Sequence, residues 1–333
     1  MEHKYWNQKP SSFAETVELV ENYVRAQIRQ EVKNKRLCYH NLTHALAVKR
    51  RASIIFGAIK PILSQKHSAE KLQRWESLTD LCAIAHDMVQ LFDSSISAHQ
   101  PRKHLIGLSE IQTANKLLQY IQNLNQELST HHLNSAVLFS DFDQLIIRDA
   151  ITATICKNDP QAGQASYTFS VHSIYQPYLY ESDAKISVVG SIVALADLGA
   201  LGIDGVDQYI QDGILVFLEN NLAYGKLIAD DCFLVNQQQS CYDWADENQI
   251  KDKLIAMTRF MFSFAQERRS RFELEIAGFA PQARQILRDK IFLHLSPEVI
   301  NKIKARLPIQ ENVSLAELIN FLRDSINSNL DIL

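Results

Sequence analysis

Two histidines four residues apart are the first group in this chain whose types and spacing could do chemistry. His40 and His44 stand in the sequence YHNLTHA. On a helix they would project from the same side, with their Cβ atoms about 5–6 Å apart, so both could reach one centre. A zinc protease would need a glutamate directly after the first histidine as its general base, and Asn41 occupies that position. The protease interpretation therefore fails.

A second group combines a histidine with carboxylates inside apolar segments. His86 and Asp87 follow one such segment in LCAIAHDMV, and Asp197 interrupts another in SIVALADLGAL. A buried carboxylate costs several kcal/mol unless it is paired or binds a cation. No lysine or arginine lies within these segments. Two carboxylates and two histidines form a mixed nitrogen and oxygen set that suits a divalent ion of the first transition row or a similar ion.

Each of these four residues also has an ordinary structural interpretation. A single histidine on an apolar helix is more often a hydrogen-bonded core residue than a ligand, and a single buried aspartate often caps a helix or joins an ion pair. For the four residues taken together these interpretations are less favoured, because all four lie in segments that should pack into one core.

Helices are the elements that must position these residues. The chain has 333 residues, 46% of them hydrophobic, with only ten Gly and eight Pro. That Gly and Pro share is well below the usual total of roughly 12%, which disfavours turn-dense sandwiches and barrels. The sequence therefore predicts an all-α fold.

Hydrophobic spacing and capping residues predict the individual helices. We expect helices to begin at Ser12, near Asn41 with an end at Pro61, at Ser77, before Ile111, at Asp143, at Ser296 and at Ser314. The polar stretch from Asn158 to Tyr180 is predicted to be a lid or binding loop. A buried central helix is expected from Ser187 to Leu201, capped by Ser182 or Asp183 and ended by Gly199 and Gly202.

Charge and composition exclude several classes of function. The chain carries 34 basic and 38 acidic side chains, a net charge of -4, which does not indicate a nucleic-acid-binding protein. The basic run of Arg268, Arg269 and Arg271 is flanked by Glu267 and Glu273, so we interpret it as a solvated helix face. No glycine-rich phosphate loop and no serine-hydrolase elbow occurs in the sequence.

The location of the protein is predicted from its apolar segments and cysteines. The N-terminus has no apolar signal region, and the run from Ile186 to Ala196 is too short to cross a bilayer. The five cysteines contain no CxxC pair, and Cys38, Cys82 and Cys156 lie in apolar or helix-like stretches, so we expect reduced, buried thiols. The sequence predicts a cytoplasmic protein with no membrane partner.

The order and spacing of His44, His86-Asp87 and Asp197 resemble the H…HD…D pattern of the HD superfamily of metal-dependent phosphohydrolases. YHNLTHA is similar to the YHNxxHA signature of cyclic-nucleotide phosphodiesterases in that superfamily, and ALADLG is similar to the helix that supplies the last aspartate. The resemblance covers roughly residues 35 to 205.

The resemblance implies an all-helical HD-type bundle in which His44, His86, Asp87 and Asp197 hold a divalent metal ion (Mn, Mg, Fe or Zn). It also implies that Asp87 can bridge to a second ion and that His40 protonates the leaving oxygen. The expected activity is hydrolysis of a phosphomonoester or phosphodiester, most plausibly of a nucleotide. We expect the HD-type domain at residues 1–225 and a helical extension packed on it at residues 226–333.

Two departures from the phosphodiesterase pattern leave alternatives open. Gln90 replaces the histidine that usually follows the HD aspartate by three residues, and the stretch TATICK lacks a further expected histidine. The absence of a GYP triplet disfavours the HD-GYP subgroup of the superfamily. The incomplete second site favours an alternative, a regulatory module that binds a metal or a nucleotide without turnover. Oxygenase chemistry on this fold would need a full two-iron ligand set, which this sequence lacks.

Overall fold

The helices of this protein account for nearly all of its regular secondary structure. The computed structural model describes residues 9–93, 100–130, 134–158, 174–180, 186–229 and 246–326. Over these residues the predicted all-α fold is confirmed. The only strands there are β1 (Lys157–Asn158) and β2 (Ile174–Tyr175), each two residues long, which pair with each other in antiparallel orientation. The helices are α1 (Phe13–Lys35), α2 (Leu42–Leu63), α3 (Ala69–Ala85), α4 (Leu108–Thr130), α5 (Asp141–Ala153), α6 (Val188–Asp197), α7 (Val206–Asn220), α8 (Leu222–Ala229), α9 (Glu247–Glu275), α10 (Pro281–Ile286), α11 (Pro297–Arg306) and α12 (Leu315–Ile326).

Helices α1 to α6, together with the end of α9 and with α10, build the first of two hydrophobic cores. Helix α2 packs against α3 and α6, and α5 packs against α4 and α6. Their apolar stripes meet in a set of fully buried side chains that includes Val48, Ile55, Ile84, Ile151 and Ile192. This packing brings the first turn of α2 close to the last turns of α3 and α6.

Helices α7, α8, α9, α11 and α12 build the second core. Ile214, Leu254, Ile303 and Leu322 are fully buried in it, and Cys38 reaches it from the connection between α1 and α2. The predicted domain boundary after residue 225 stays a prediction.

Capping residues begin four of these helices, α1, α2, α11 and α12, where the sequence predicts. Ser12 accepts a hydrogen bond from the Glu15 amide at the start of α1, and Ser296 caps α11. Ser314 and Glu317 form the reciprocal pair of bonds expected of a capping box before α12.

Two predicted helix boundaries are wrong. Helix α3 begins at Ala69, eight residues before the predicted start at Ser77, because Ser68 caps it. Ser77 lies inside the helix, where its hydroxyl donates to a carbonyl of the preceding turn. Pro61 does not end α2, which continues to Leu63 with the proline in its last turn.

The central helix is shorter than predicted. Ser187 caps α6, while the predicted caps Ser182 and Asp183 lie outside the described residues. The helix ends at Asp197, and the chain continues in a π-helical segment, Ala200–Asp204. Gly205, with φ of 92°, then turns the chain into α7, a conformation that favours glycine.

The predicted solvated face at Arg268 is also wrong. Arg268 is 3% exposed and forms an ion pair with Glu275, which also accepts a hydrogen bond from the Tyr180 hydroxyl at 2.5 Å. Helical spacing places Arg268 on the same buried stripe of α9 as Ala265 and Phe272. Its neighbour Arg269 is exposed, as predicted.

The cysteines and the helices agree with the remaining predictions in part. Cys38 and Cys82 are buried free thiols, Cys156 is a half-buried one, and Cys232 and Cys241 lie outside the described residues. Burial raises the pKa of the Cys38 thiol to about 12. In the part of the chain that the structure describes, no helix has the length and apolar character needed to cross a membrane.

Candidate metal centre

The four residues singled out as metal ligands meet at one place, where three helix ends converge. His44 lies in the first turn of α2, His86 and Asp87 follow α3 directly, and Asp197 is the last residue of α6. One ligand atom from each of the four side chains lies within 4.8 Å of all the others. Two histidines and two carboxylates in this arrangement could hold a metal ion.

The ligand atoms face one another at short distances. Nε2 of His86 lies 2.8 Å from Oδ2 of Asp87 and 3.3 Å from Oδ1 of Asp197. Nε2 of His44 lies 3.3 and 3.6 Å from the same two oxygens and 3.4 Å from Nε2 of His86.

These separations match those of ligands that share one metal ion. Nitrogen and oxygen ligands lie about 2.0–2.2 Å from a divalent ion such as Zn²⁺, so neighbouring ligands in octahedral or tetrahedral geometry lie about 3.0–3.4 Å apart. The five measured distances cluster around that range. The donor set therefore fits a divalent cation in both atom type and spacing.

A backbone carbonyl fixes the ring of His86, and a helix cap fixes the turn that carries His44. Nδ1 of His86 donates to the Ala83 carbonyl at 2.8 Å, which leaves Nε2 as the nitrogen that faces the cluster. The backbone amide of His44 donates to Oδ1 of Asn41 at 3.1 Å, and the Thr43 amide donates to the same oxygen at 2.8 Å. Asn41 thus caps α2 and holds the turn that carries His44.

Two buried glutamines hold the aspartates. Nε2 of Gln90 donates to Oδ1 of Asp87 at 3.0 Å, and Nε2 of Gln176 donates to Oδ2 of Asp197 at 2.9 Å. Gln90 is 2% exposed and Gln176 is fully buried. Each aspartate therefore directs one oxygen into the cluster and has the other fixed by an amide.

The charges of the cluster shift the pKa values of its members. Burial alone would lower the pKa of His86, but the charges of Asp87 and Asp197 outweigh it and hold that pKa well above its usual value. Burial alone would raise the pKa of Asp197, but the charge of His86 and hydrogen bonds from both histidines lower it to about 2. The pKa of Asp87 is likewise held well below its usual value, against burial, by the charges of His86 and His40. The site thus favours two ionised carboxylates beside positive charge.

His40 lies at the edge of the cluster and is held by a buried glutamate. Nδ1 of His40 donates to Oε1 of Glu219, and the backbone amides of Tyr39 and His40 donate to Oε2 at 2.8 and 3.0 Å. Nε2 of His40 faces the cluster, 3.8 Å from Oδ2 of Asp87. Burial alone would lower the pKa of His40, but the charges of Glu219 and Asp87 raise it to about 9.

A second group of possible metal ligands includes His40 and Glu219. His40, His104 and Glu219 bring ligand atoms within 4.8 Å of one another. However, Nδ1 of His40 already bonds to Glu219, and Nε2 of His104 lies 2.9 Å from Oδ1 of Asn220. These contacts favour a hydrogen-bonded group over a metal site.

Sequence reasoning did not find Glu219 and Gln176. Gln176 belongs to the predicted binding loop, of which residues 159–173 lie outside the described residues. Glu219 lies 179 residues after His40. Its one signal in the sequence is that this glutamate lies on the apolar stripe of α7, the stripe that also contains Ile214, Leu215 and Leu218.

Comparison of the chain with protein families, with curated proteins and with solved structures gives no match.

Proposed function

We propose that this protein is a metal-dependent phosphohydrolase of the HD type that cleaves a phosphomonoester or a phosphodiester. The convergence of His44, His86, Asp87 and Asp197 within 4.8 Å carries this proposal. The contact of His40 with both Glu219 and the edge of the cluster supports it, since ester hydrolysis needs a proton donor for the leaving oxygen.

The four ligands would hold a divalent ion, which supplies Lewis-acid activation of a phosphoryl oxygen and of water when it is bound. The two carboxylates balance the charge of that ion. Because Gln90 and Gln176 fix their outer oxygens, the inner oxygens are already oriented before anything binds. Positioning of this kind supplies much of the catalysis in phosphoryl transfer.

His40 is the residue that we assign to proton transfer. Water adds to phosphorus, and the bond between phosphorus and the ester oxygen breaks. Nε2 of His40 gives its proton to that ester oxygen, and the proton released by the attacking water restores it. Glu219 supports this role because it holds Nδ1 and raises the pKa of His40, against burial, to about 9, which keeps the ring protonated at neutral pH.

A turnover screen tests the proposal. The purified protein is incubated with nucleotides, alkyl phosphates and p-nitrophenyl esters, with Mn²⁺, Mg²⁺, Fe²⁺ or Zn²⁺ added, and released phosphate or alcohol is measured. We expect activity that is lost on chelation and restored by a divalent ion. Activity that survives exhaustive chelation would contradict the proposal, and a double variant Asp87→Ala, Asp197→Ala controls for contaminating phosphatases.

The second candidate is a module that binds a metal or a nucleotide and regulates without turnover. Gln90 favours it, because this residue holds Asp87 where the resembling enzymes have a histidine for a second ion. Stabilisation of the fold by a metal or a nucleotide, without product release from any ester, would support this candidate. The nucleotide substrate and the cytoplasmic location stay predictions.

A further inference from the structure

A cavity of about 460 Å³ opens beside the metal cluster, and it belongs to the second core. Helix α7 and helix α9 form its main walls. The side chains that define its character are Val216, Phe217, Met257, Phe260, Met261 and Phe264.

The cavity reaches the metal cluster at Asp197. Asp197 and Tyr39 are among the residues that line it, and the Tyr39 ring lies 4.3 Å from the His44 ring, measured between ring centroids. A molecule whose phosphoryl group reached the cluster would therefore extend its remaining part into this cavity.

We propose that this cavity binds the organic part of the phosphoester and that this part is an extended hydrocarbon group, such as a lipid-like chain. The inference rests on the proposed phosphohydrolase function and names its substrate class.

The size of the cavity supports a group larger than a nucleobase. A cavity of about 150 Å³ is enough to take up one benzene molecule. The cavity beside the cluster is about three times as large. A purine base, with two fused rings, would leave much of its apolar wall uncovered.

The chemistry of the wall supports the same conclusion. Phe260, Phe264 and Tyr209 form a row of nearly parallel rings, with centroids 6.1 and 6.4 Å apart along the row. Phe260 and Phe264 are half-buried, so part of each ring is open to a ligand. Covering apolar surface of this kind is favourable without any directional bond.

The polar groups of the wall are few, and most are engaged by the protein; Lys253, at an exposed position of α9, also lines the cavity. Oδ1 of Asn220 contacts His104, Nδ2 of Asn221 donates to the Phe217 carbonyl, and Asp212 accepts a bond from Gln208. A nucleobase would have to bury its polar edge against a mostly apolar wall, which is costly unless each group finds a partner. A hydrocarbon chain has no such requirement.

Binding of alkylphosphonates tests the inference without depending on turnover. Methyl-, butyl-, octyl- and dodecylphosphonate, below their micelle concentrations, are titrated calorimetrically into the Mn²⁺-loaded protein. We expect affinity to rise about three- to fourfold per methylene until the chain fills the cavity, as follows from a transfer free energy of ~0.8 kcal/mol per CH₂. Adenosine monophosphate should bind more weakly than octylphosphonate.

Substitutions that fill the cavity locate the effect. Val216→Trp on α7 and Ala256→Trp on α9 should each remove most of the gain between butyl- and octylphosphonate. Gln266→Trp, at an exposed position of α9, is the matched control and should keep the wild-type dependence on chain length. Two filling variants are used so that, if circular dichroism shows that one is misfolded, the other still tests the inference.

Three results would overturn the inference: affinity independent of chain length, tighter binding of the nucleotide, or a full chain-length effect in both folded filling variants. Its failure is distinct from failure of the proposed function. Chain-length-dependent binding without hydrolysis of octyl phosphate would remove the phosphohydrolase proposal and leave the cavity assignment. Hydrolysis of alkyl phosphates at rates independent of chain length would remove the cavity assignment and leave the phosphohydrolase proposal.

Discussion

The two aspartates of the cluster each divide their oxygens between two tasks. One oxygen faces the two histidines, and the other accepts a bond from a buried glutamine amide. A carboxylate fixed in this way has lost most of its rotational freedom before a metal arrives, so less ordering opposes binding. The neighbouring His40 is fixed by the same means, with Glu219 as its partner.

The carboxylates should be indispensable for metal binding. We expect the double variant Asp87→Ala, Asp197→Ala to lose its metal while it keeps its helical circular dichroism spectrum, because the removed carboxylates are only 17% and 14% exposed and need a cation. Elemental analysis of the purified protein measures the loss. Asp252→Ala, at an exposed position of α9, is the control and should keep full occupancy. Full occupancy in the double variant would remove both residues as ligands.

Removing the His40 side chain should separate proton donation from metal binding. His40→Ala should keep its metal and slow the hydrolysis of an alkyl ester by about 10²–10⁴-fold, the usual contribution of a positioned proton donor. A p-nitrophenyl ester should be affected much less, because its leaving group needs no proton. Rates on both esters at matched metal occupancy are the measurement. Equal losses on the two would show that His40 is not the acid, and loss of metal would make it a ligand.

Neutralising Glu219 should shift the pH profile. The charge of Glu219 raises the pKa of His40, against burial, to about 9, and a general acid works only while it is protonated. In Glu219→Gln that pKa should fall, so the decline of kcat/KM at alkaline pH should begin at a lower pH while metal content is unchanged. Glu311→Gln, at a position 87% exposed, is the control. An unshifted profile would end the assignment of Glu219 as the positioning residue.

At the scale of elements, the site is assembled from helix ends. The first turn of α2, the two residues directly after α3 and the last residue of α6 provide its candidate ligands, and helix ends have backbone groups that need partners. Asn41 meets that need for α2 by accepting bonds from two amides, one of which belongs to His44.

The cap of α2 should therefore matter for both stability and metal affinity. Asn41→Ala should lower the free energy of unfolding by about 1 kcal/mol, the usual effect of losing such a cap, and should weaken metal binding because the turn with His44 loosens. Denaturant unfolding and metal titration are the measurements. Ser68→Ala removes the cap at the far end of α3 and should cost similar stability without affecting metal. Asn41→Ser should restore part of both losses, and unchanged metal affinity in Asn41→Ala would contradict the link.

The sequence predicted the elements of the site better than its contacts. The sequence predicts Asp197 because a carboxylate inside an apolar helix needs a partner, and it predicts His44 from the four-residue spacing to His40 and from the resemblance to the HD superfamily. Gln176 and Glu219 were missed because their partners are distant in sequence, and a glutamine or glutamate alone carries no signal of what it will contact. Arg268 is different, because its spacing with Ala265 and Phe272 and its partner Glu275, two turns further along α9, were readable from the sequence, whereas the prediction used only the flanking glutamates.

At the scale of the whole molecule, the metal cluster lies where the two cores meet. Helices of the first core carry the four candidate ligands, and helices of the second carry Glu219 and most of the apolar cavity. The C-terminal helices are thus part of the candidate site, since α9 forms one wall of that cavity.

Metal binding by the whole protein should depend on pH. The charges of Asp87 and Asp197 hold the pKa of His86 well above its usual value, against the effect of burial, so the metal-free protein carries a proton there at neutral pH. A metal needs the neutral ring, so that proton must leave on binding. We expect the apparent affinity for Mn²⁺ to rise with pH across the range from 6 to 8, by up to about tenfold per unit. Calorimetry in buffers of different ionisation enthalpy counts the released proton, and zero release with constant affinity would contradict this prediction.

The separation of 179 residues between His40 and Glu219 sets an order of events during synthesis. A nascent chain that has emerged as far as Asp197 already contains all four metal ligands, whereas the carboxylate that orients His40 follows only with α7. Because chains emerge from the amino terminus, all four candidate ligands leave the ribosome before the carboxylate that holds Nδ1 of His40. The first core is completed later still, since Phe272, Ala283 and Phe292 also belong to it.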